Sequence, residues 1–233
     1  MRVKTMLDGI FFISSALKVE QLSIFNEEER FEQTIETINS IDKFCPSNKK
    51  YIFDASHSVP NEDKINQIVS LGVDFFYCGQ NEQVSTMSKL GQRSFAETIS
   101  FIIFLNNIKD RLPRAKRIFK ISGRYKLNEK FVSYQKDFDD SFVYLPTVNS
   151  WMTKEKQEEC GVDRIFELRL WHMDYNLLDT FQKELYNILN DMVNFNIDVE
   201  HSYYKNLSKY KTFHINPIGL EGVLAPTGVV INE

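Results

Sequence analysis

The chain is poor in the residues that usually announce a protein's chemistry: its 233 positions include only 3 cysteines, 4 histidines, 9 glycines and 6 prolines. Cys45, Cys78 and Cys160 are far apart, odd in number and without metal-ligand spacing. That disfavours a zinc site or a disulfide framework and reads as reduced thiols in a cytoplasmic protein. Long hydrophobic runs are also missing. The longest near the start, Ile10 to Ile13, is far too short for a membrane span or a signal sequence, so secretion and membrane insertion are disfavoured. Peripheral attachment to a membrane stays open. Charge of one sign is lacking as well: 28 Lys and Arg stand against 32 Asp and Glu, a formal net charge of −4. Nothing global attracts nucleic acid, and no nucleic-acid partner is favoured. No internal repeat or low-complexity segment is found.

Apolar residues are plentiful. Hydrophobic residues make up 42% of the chain and 19 residues are Phe, enough for a sizeable core in one large domain. Ile10–Ile13 reads as a buried strand closing on Ser14 and Ser15, followed by a loop from Lys18 to Glu29. A helix from Arg30 carries Phe31, Ile35, Ile38 and Ile41, and must end before Cys45-Pro46. Tyr51–Phe53 is a second strand, Pro60-Asn61 opens a helix that stops at Gly72, and Val73–Cys78 is a third strand. After a polar loop, Phe95, Ile99, Ile102 and Ile103 mark another helix, and Ile118–Ile121 is strand four. Strands alternating with helices imply an α/β fold, a mainly parallel central sheet flanked by helices on both faces. The second half is mixed and more helical. Phe142–Leu145 and Ile165–Leu170 look like strands, Leu177 to Met192 is a strong helical stripe, a short helix follows from about Asp198, and Gly219 to Ile231 reads as a hairpin. We divide the chain into residues 1–135, a ligand-binding half, and 136–233, an acceptor-side half, within one compact domain.

Ligands of parallel sheets sit at the carboxyl ends of strands. The four strands end on Ser14-Ser15, Asp54-Ala55-Ser56, Gly79-Gln80-Asn81 and Ser122-Gly123-Arg124, so small polar tips converge on one rim. The last of these is the most informative. Gly123 allows close backbone approach and Arg124 brings a fixed cation, a pairing suited to an anionic ligand such as the diphosphate of a nucleotide sugar. Tyr125 follows directly.

This order resembles the GT-A fold of nucleotide-sugar-dependent glycosyltransferases, with a Rossmann-like first half, and in particular the small enzymes of polysaccharide biosynthesis. The resemblance is carried by Phe11-Phe-Ile-Ser-Ser15, by Arg30 with Thr34 to Ser40, by Ile52-Phe-Asp-Ala-Ser56, and by Lys89-Leu-Gly91-Gln92 before the third helix. It implies that Ser14, Ser15 and Asp54 hold the nucleoside and that Lys89 and Arg124 meet the diphosphate, with Arg30, Ser56, Gly91, Gly123 and Tyr125 at the same substrate site. Asp54 equally suits a turn cap. The family usually ends its fourth strand on Asp-x-Asp, which binds a divalent metal, manganese or magnesium; this chain departs from that pattern. A positioned Arg or Lys can supply the charge instead, with Arg124 first and Lys89 and Lys126 behind it. Asp137-Phe-Asp-Asp140 lies at a strand's beginning and reads as a turn.

The second half should supply the acceptor side. Trp171, His172 and Asp174 place an aromatic platform beside an imidazole and a carboxylate, or else form a core Trp with a helix-capping Asp. Asp198 is a natural N-cap, and the resemblance implies that Glu200, at the helix start, deprotonates the acceptor hydroxyl. His201 would reach a phosphate or a metal. The sequence thus points to a glycosyltransferase using a nucleotide-diphosphate sugar donor and a glycan, lipid-linked sugar or other hydroxyl acceptor. The alternatives are a non-catalytic carbohydrate- or partner-binding domain of the same fold and a nucleotidyltransferase. The patch Tyr203, Tyr204, Lys205, Lys209, Tyr210 and Lys211 reads as a solvated helix face or an acceptor-side rim.

Overall fold

A computed structural model describes residues 6–18, 24–132, 136–224 and 228–233. The first half alternates as the periodicity predicts: β1 (Leu7–Ser15), α1 (Glu27–Phe44), β2 (Lys49–Asp54), α2 (Glu62–Ser70), β3 (Val73–Tyr77), α3 (Glu82–Lys89), α4 (Arg93–Ile108), β4 (Ala115–Ser122) and β5 (Tyr125–Leu127). The second half contributes β6 (Phe142–Tyr144), β7 (Val148–Asn149), α5 (Lys154–Cys160), β8 (Arg164–Ile165), β9 (Leu170–Asp174), α6 (Leu178–Phe195), α7 (Val199–Leu207), β10 (Thr212–His214), β11 (Leu220–Val223) and β12 (Val230–Asn232).

Seven strands form one sheet in the order β10-β6-β9-β4-β1-β2-β3. β1 to β4 pair in parallel, and β9 alone runs against its neighbours β4 and β6. The second half therefore extends the same sheet. β11 pairs with β12 and β5 in a small antiparallel sheet, so the tail is the hairpin expected, its residues 225–227 lying outside the described ones.

The sheet separates two cores because side chains alternate across a strand. One face carries Ile10, Phe12, Phe53 and Ile118 against Phe101, Phe104, Phe181 and Leu185 of α4 and α6. The other carries Phe11, Ile13, Phe119 and Ile121 against Phe31, Ile38 and Ile41 of α1. The aromatic positions interlock: Phe53 stacks on Phe101 with centroids 4.7 Å apart, and Phe11 on Phe119 likewise at 4.7 Å. Each such ring contributes about 2–3 kcal/mol through burial.

Three elements depart from the sequence reading. α1 begins earlier than Arg30, because Asn26 and Glu29 form a reciprocal capping box, Glu29 N donating to Asn26 Oδ1 at 2.9 Å. The stretch 82–89 is a helix rather than a polar loop, opened by Asn81, whose Oδ1 accepts from Gln83 N and Val84 N. The strand expected over Ile165–Leu170 is instead a two-residue β8 and a separate β9 that starts at Leu170. No helix among the described residues is long and apolar enough to cross a membrane.

Candidate active site

A cavity of about 370 Å³ opens where β1 and β4 end, walled by the start of α4, the first turn of α7 and α1. That volume lies within the roughly 300–1,000 Å³ of small-molecule sites. Ser14, Ser15, Gly123, Arg124 and Tyr125 line it from the strand tips, Arg30 from α1, Trp171 from β9 and Glu200 from α7.

The corner between β4 and β5 is fixed by a polar stripe on α1. Arg30, Thr34, Thr37 and Ser40 fall on its buried side, three or four residues apart as one helix face requires. Thr34 Oγ1 lies 3.3 Å from Gly123 O, Thr37 Oγ1 donates to Tyr125 O at 2.7 Å, and Leu127 N donates to Ser40 Oγ at 3.0 Å. Gly123 N donates to Ser14 O at 2.8 Å. A Cβ at Gly123 would stand 3.2 Å from Ser14 O and 3.3 Å from Thr34 Oγ1, so the close approach favours glycine. Arg124 leaves this clamped corner with its Nε 3.5 Å from Ser122 Oγ and its guanidinium 5.4 Å from the Tyr125 ring centroid. It has no ion-pair partner among the described residues.

Arg93, on the first turn of α4, lines the same cavity. Desolvation, followed by repulsion from Arg124 and Arg93, lowers the pKa of Arg30 to about 9. Three guanidinium groups are thus crowded where solvent is scarce. α4 has no side-chain N-cap, and Gly91, in the left-handed region at φ +73°, makes the turn that leads into it. Its N-terminal dipole adds positive potential to the same wall.

Of the three carboxylates that line the cavity, Glu167 is paired with Arg169, and the other two are in different states. Glu97 pairs with Lys120 at 2.6 Å. Desolvation would raise its pKa, but Lys120, a hydrogen bond with Ser14 and the field of Arg124 outweigh that and lower it. Glu200 is pushed up to about 7, chiefly by burial and then by Asp198 and Glu97. Near neutral pH one carboxylate is therefore a committed anion and the other is poised to exchange a proton. Trp171, with no solvent exposure, adds an indole Nε1–H that has no acceptor among the described residues. A ligand oxygen would satisfy it.

Other residues singled out in the sequence lie elsewhere. Asp54 is fully buried and spends its carboxylate on the backbone: Leu17 N donates to Oδ2 and Ser56 N to Oδ1, each at 3.0 Å. It ties the exit of β1 to the turn after β2, the capping alternative. Ser56 is buried and accepts from Lys18 N at 2.9 Å. Lys89 is exposed at the end of α3, while its neighbour Ser88 reaches the cavity. Lys126 lies 3.6 Å from Glu36 and 3.5 Å from Glu221. The tip of β3 packs under the β2 turn and Asn81 caps α3, so that tip does not join the rim.

Trp171, His172 and Asp174 do not form one platform. Successive residues of a strand face opposite sides, and β9 runs antiparallel to β4, with Asp174 opposite Arg117 at the far edge of the sheet. Asp174 accepts from Asp140 N at 2.9 Å and Asn176 N at 2.8 Å, which removes it from any acceptor role at the cavity. His172 is buried against Arg117, whose Nε donates to its Nδ1 at 3.0 Å. His201 is buried too, bridging Ser150 Oγ and Asp198 Oδ1 at 2.7 Å each, and so anchors the turn that presents Glu200. In the basic-aromatic patch Tyr203 lines the cavity, whereas Lys205 pairs with Asp191 and Lys209 with Glu184.

Arg93 and Glu97 were not legible as site residues, although a signal existed. Glu97 is the one charged residue between Arg93 and Lys109, in a helix whose other residues are apolar or uncharged polar, and a lone charge on a helix that packs into the core needs a partner.

No protein-family model matches the sequence, and no curated protein sequence matches it either. Solved structures do. The galactosyltransferase LgtC, in complex with donor and acceptor sugar analogs, superposes with a TM-score of 0.58 at 7% identity over 89% of this chain and 73% of that one. The mannosyltransferase Ktr4p from S. cerevisiae in complex with GDP gives 0.55 at 10% identity, covering 88% and 67%. Core-mannan synthase A from Aspergillus fumigatus, in its Mn/GDP form, gives 0.54 at 8% identity, covering 94% and 76%. The chain has a GT-A-like glycosyltransferase fold. At such identities the likeness shows the fold, and activity must be argued from the cavity.

A divalent metal is the usual companion of this fold, and the donor set here does not fit one. β4 ends on Ser122-Gly123-Arg124, Glu97 is held by Lys120, and Glu167 is held by Arg169 at 2.6 Å. Among the described residues no three His, Cys, Asp or Glu side chains are grouped to hold an ion. Hard cations need several such oxygens converging, and three arginines repel them.

Proposed function

We propose that the protein is a glycosyltransferase that moves a sugar from a nucleotide-diphosphate sugar to a hydroxyl acceptor, a glycan or a lipid-linked sugar. The observation that carries this reading is the shared cavity, with guanidinium groups from α1, the start of α4 and the tip of β4, and a carboxylate of pKa about 7 on the first turn of α7. The donor lies with its diphosphate against the arginines and its nucleoside toward Ser14 and Ser15. The acceptor hydroxyl approaches Glu200. As the acceptor oxygen bonds to the anomeric carbon, its proton passes to the Glu200 carboxylate and the bond from that carbon to the diphosphate breaks. Positive charge on the sugar and negative charge on the leaving group develop together, and fixed cations already in place stabilise the latter without reorganisation.

Incubating the protein with a panel of nucleotide-diphosphate sugars and assaying free nucleoside diphosphate, with and without simple sugar acceptors, tests the reading. One donor should be consumed, and its nucleoside diphosphate should raise the melting temperature. A panel in which no donor is consumed and no nucleotide shifts melting would remove both the transfer reading and the nucleotidyltransferase alternative.

A further inference from the structure

The misfit to a metal ion has a positive counterpart in the same cavity. Arg30, Arg93 and Arg124 come from three separate elements, α1, the start of α4 and the β4–β5 corner, and face one space. Arg30 is 7% exposed and lies 5.5 Å from the Phe25 ring centroid, and Arg124 is held by the corner that Thr34 and Thr37 clamp. Neither cation is a loosely solvated surface group. The start of α4, without a side-chain cap, presents its N-terminal dipole to the same space.

We infer that Arg30, Arg93, Arg124 and the N-terminus of α4 form a metal-free clamp for a diphosphate, doing by guanidinium contacts what a divalent cation does elsewhere in this fold. Planar guanidinium groups match phosphate oxygens in pairs and keep their charge across the physiological range. Three of them, meeting a group with several negative charges, relieve their own mutual repulsion when it binds. That makes the ligand a diphosphate rather than a single phosphate or a carboxylate. As the C–O bond to the anomeric carbon breaks, the leaving diphosphate gains one negative charge, which the clamp takes up in place. As an account of the leaving group this rests on glycosyl transfer; as an anion site it stands without it.

Calorimetric titration of the full chain with inorganic pyrophosphate and inorganic phosphate, once in chelator and once with manganese, separates the two. Pyrophosphate should bind in chelator within about twofold of its affinity with manganese, and more tightly than phosphate. Arg93→Gln and Arg124→Gln should each weaken it roughly tenfold or more, the loss expected for a charge-assisted hydrogen bond. Lys89→Ala, on the exposed end of α3, should leave it unchanged. Binding that appears only with manganese, or that survives in both arginine variants while circular dichroism shows them folded, overturns the clamp. If pyrophosphate binds without metal and no nucleotide sugar is consumed, the clamp is upheld and the transfer reading fails. If a donor is consumed only with manganese, transfer is upheld and the clamp fails.

Discussion

The two edges of the parallel strands both bury cationic groups, and they treat them in opposite ways. At the far edge Arg117 has no solvent exposure and is hydrogen-bonded to protein: Nε to His172 Nδ1 at 3.0 Å, one terminal nitrogen to Ser141 O at 3.2 Å and the other to Phe138 O. His172 stays neutral, its pKa held well below the imidazole range by burial and then by Arg117. At the ligand edge Arg30, Arg93 and Arg124 converge on a cavity, and burial, followed by the fields of Arg124 and Arg93, brings Arg30 down to about 9. A buried arginine whose hydrogen bonds end on fixed carbonyls is framework. A group of arginines brought together on the wall of a cavity is a site, since crowding like charges is costly until an anion arrives.

The sharpest test of the ligand edge is Glu200→Gln, which keeps the shape and removes the proton acceptor. Turnover of the donor to a glycosylated acceptor should fall by about 10²–10⁴-fold, the usual contribution of a positioned base, with binding of the nucleoside diphosphate little changed. The carboxylate must be ionised to act, so the wild-type rate should rise with pH through about 7 and then level, and the variant should lose that step. A pH–rate profile with the same inflection in both would assign the proton to another group.

The far edge should fail differently. Arg117→Met takes from His172 Nδ1 its donor and from Phe138 O and Ser141 O one of two donors each, Ser141 Oγ and Asp174 N remaining, in a dry environment, a loss of about 3 kcal/mol. For a chain of this size that is a fall in melting temperature of roughly 6–12 °C. Pyrophosphate binding, measured well below the transition, should be unaltered. A variant that melts like the wild type but has lost the anion would erase the distinction between the two edges.

How far these edges were legible in the sequence follows from what periodicity can carry. Alternation of strands and helices located β1 to β4, and parallel strands necessarily share one carboxyl rim, so Ser14, Ser15, Gly123 and Arg124 came together as expected. Glu200 was suggested by the resemblance, and the first turn of α7 brings it to the cavity wall. Direction is a different matter. A period of two reads the same both ways, so nothing in Leu170–Asp174 announced that β9 runs backwards and carries Asp174 to the far edge. Asp54 looked like a ligand for the same reason that it is a good tether: a carboxylate at a strand tip accepts two hydrogen bonds, and here two backbone N–H groups take them. α3 was missed because Val84 is its one buried residue, too little for a stripe. Arg93 and Glu97 needed the α3–α4 turn at Gly91 to bring them inward.

The smallest expected effect concerns the joint that holds the ligand edge to α1. Thr37→Val is nearly isosteric and removes a hydroxyl that donates to Tyr125 O at 2.7 Å and also lies 2.9 Å from Gln33 O. One hydrogen bond to a buried carbonyl is worth about 1 kcal/mol, or roughly 2–4 °C in melting temperature. The Arg117 variant should exceed that loss severalfold. Yet Thr37 holds the corner from which Arg124 projects, so its removal should loosen the anion site as Arg117→Met does not, weakening pyrophosphate by a factor of about two to five. Thermal melting and calorimetry on the same samples decide the matter. Equal small losses of stability with intact pyrophosphate binding would mean that Arg124 is placed by the β4–β5 turn itself, through Gly123 N and Ser14 O, and that the stripe on α1 only fastens a corner already formed.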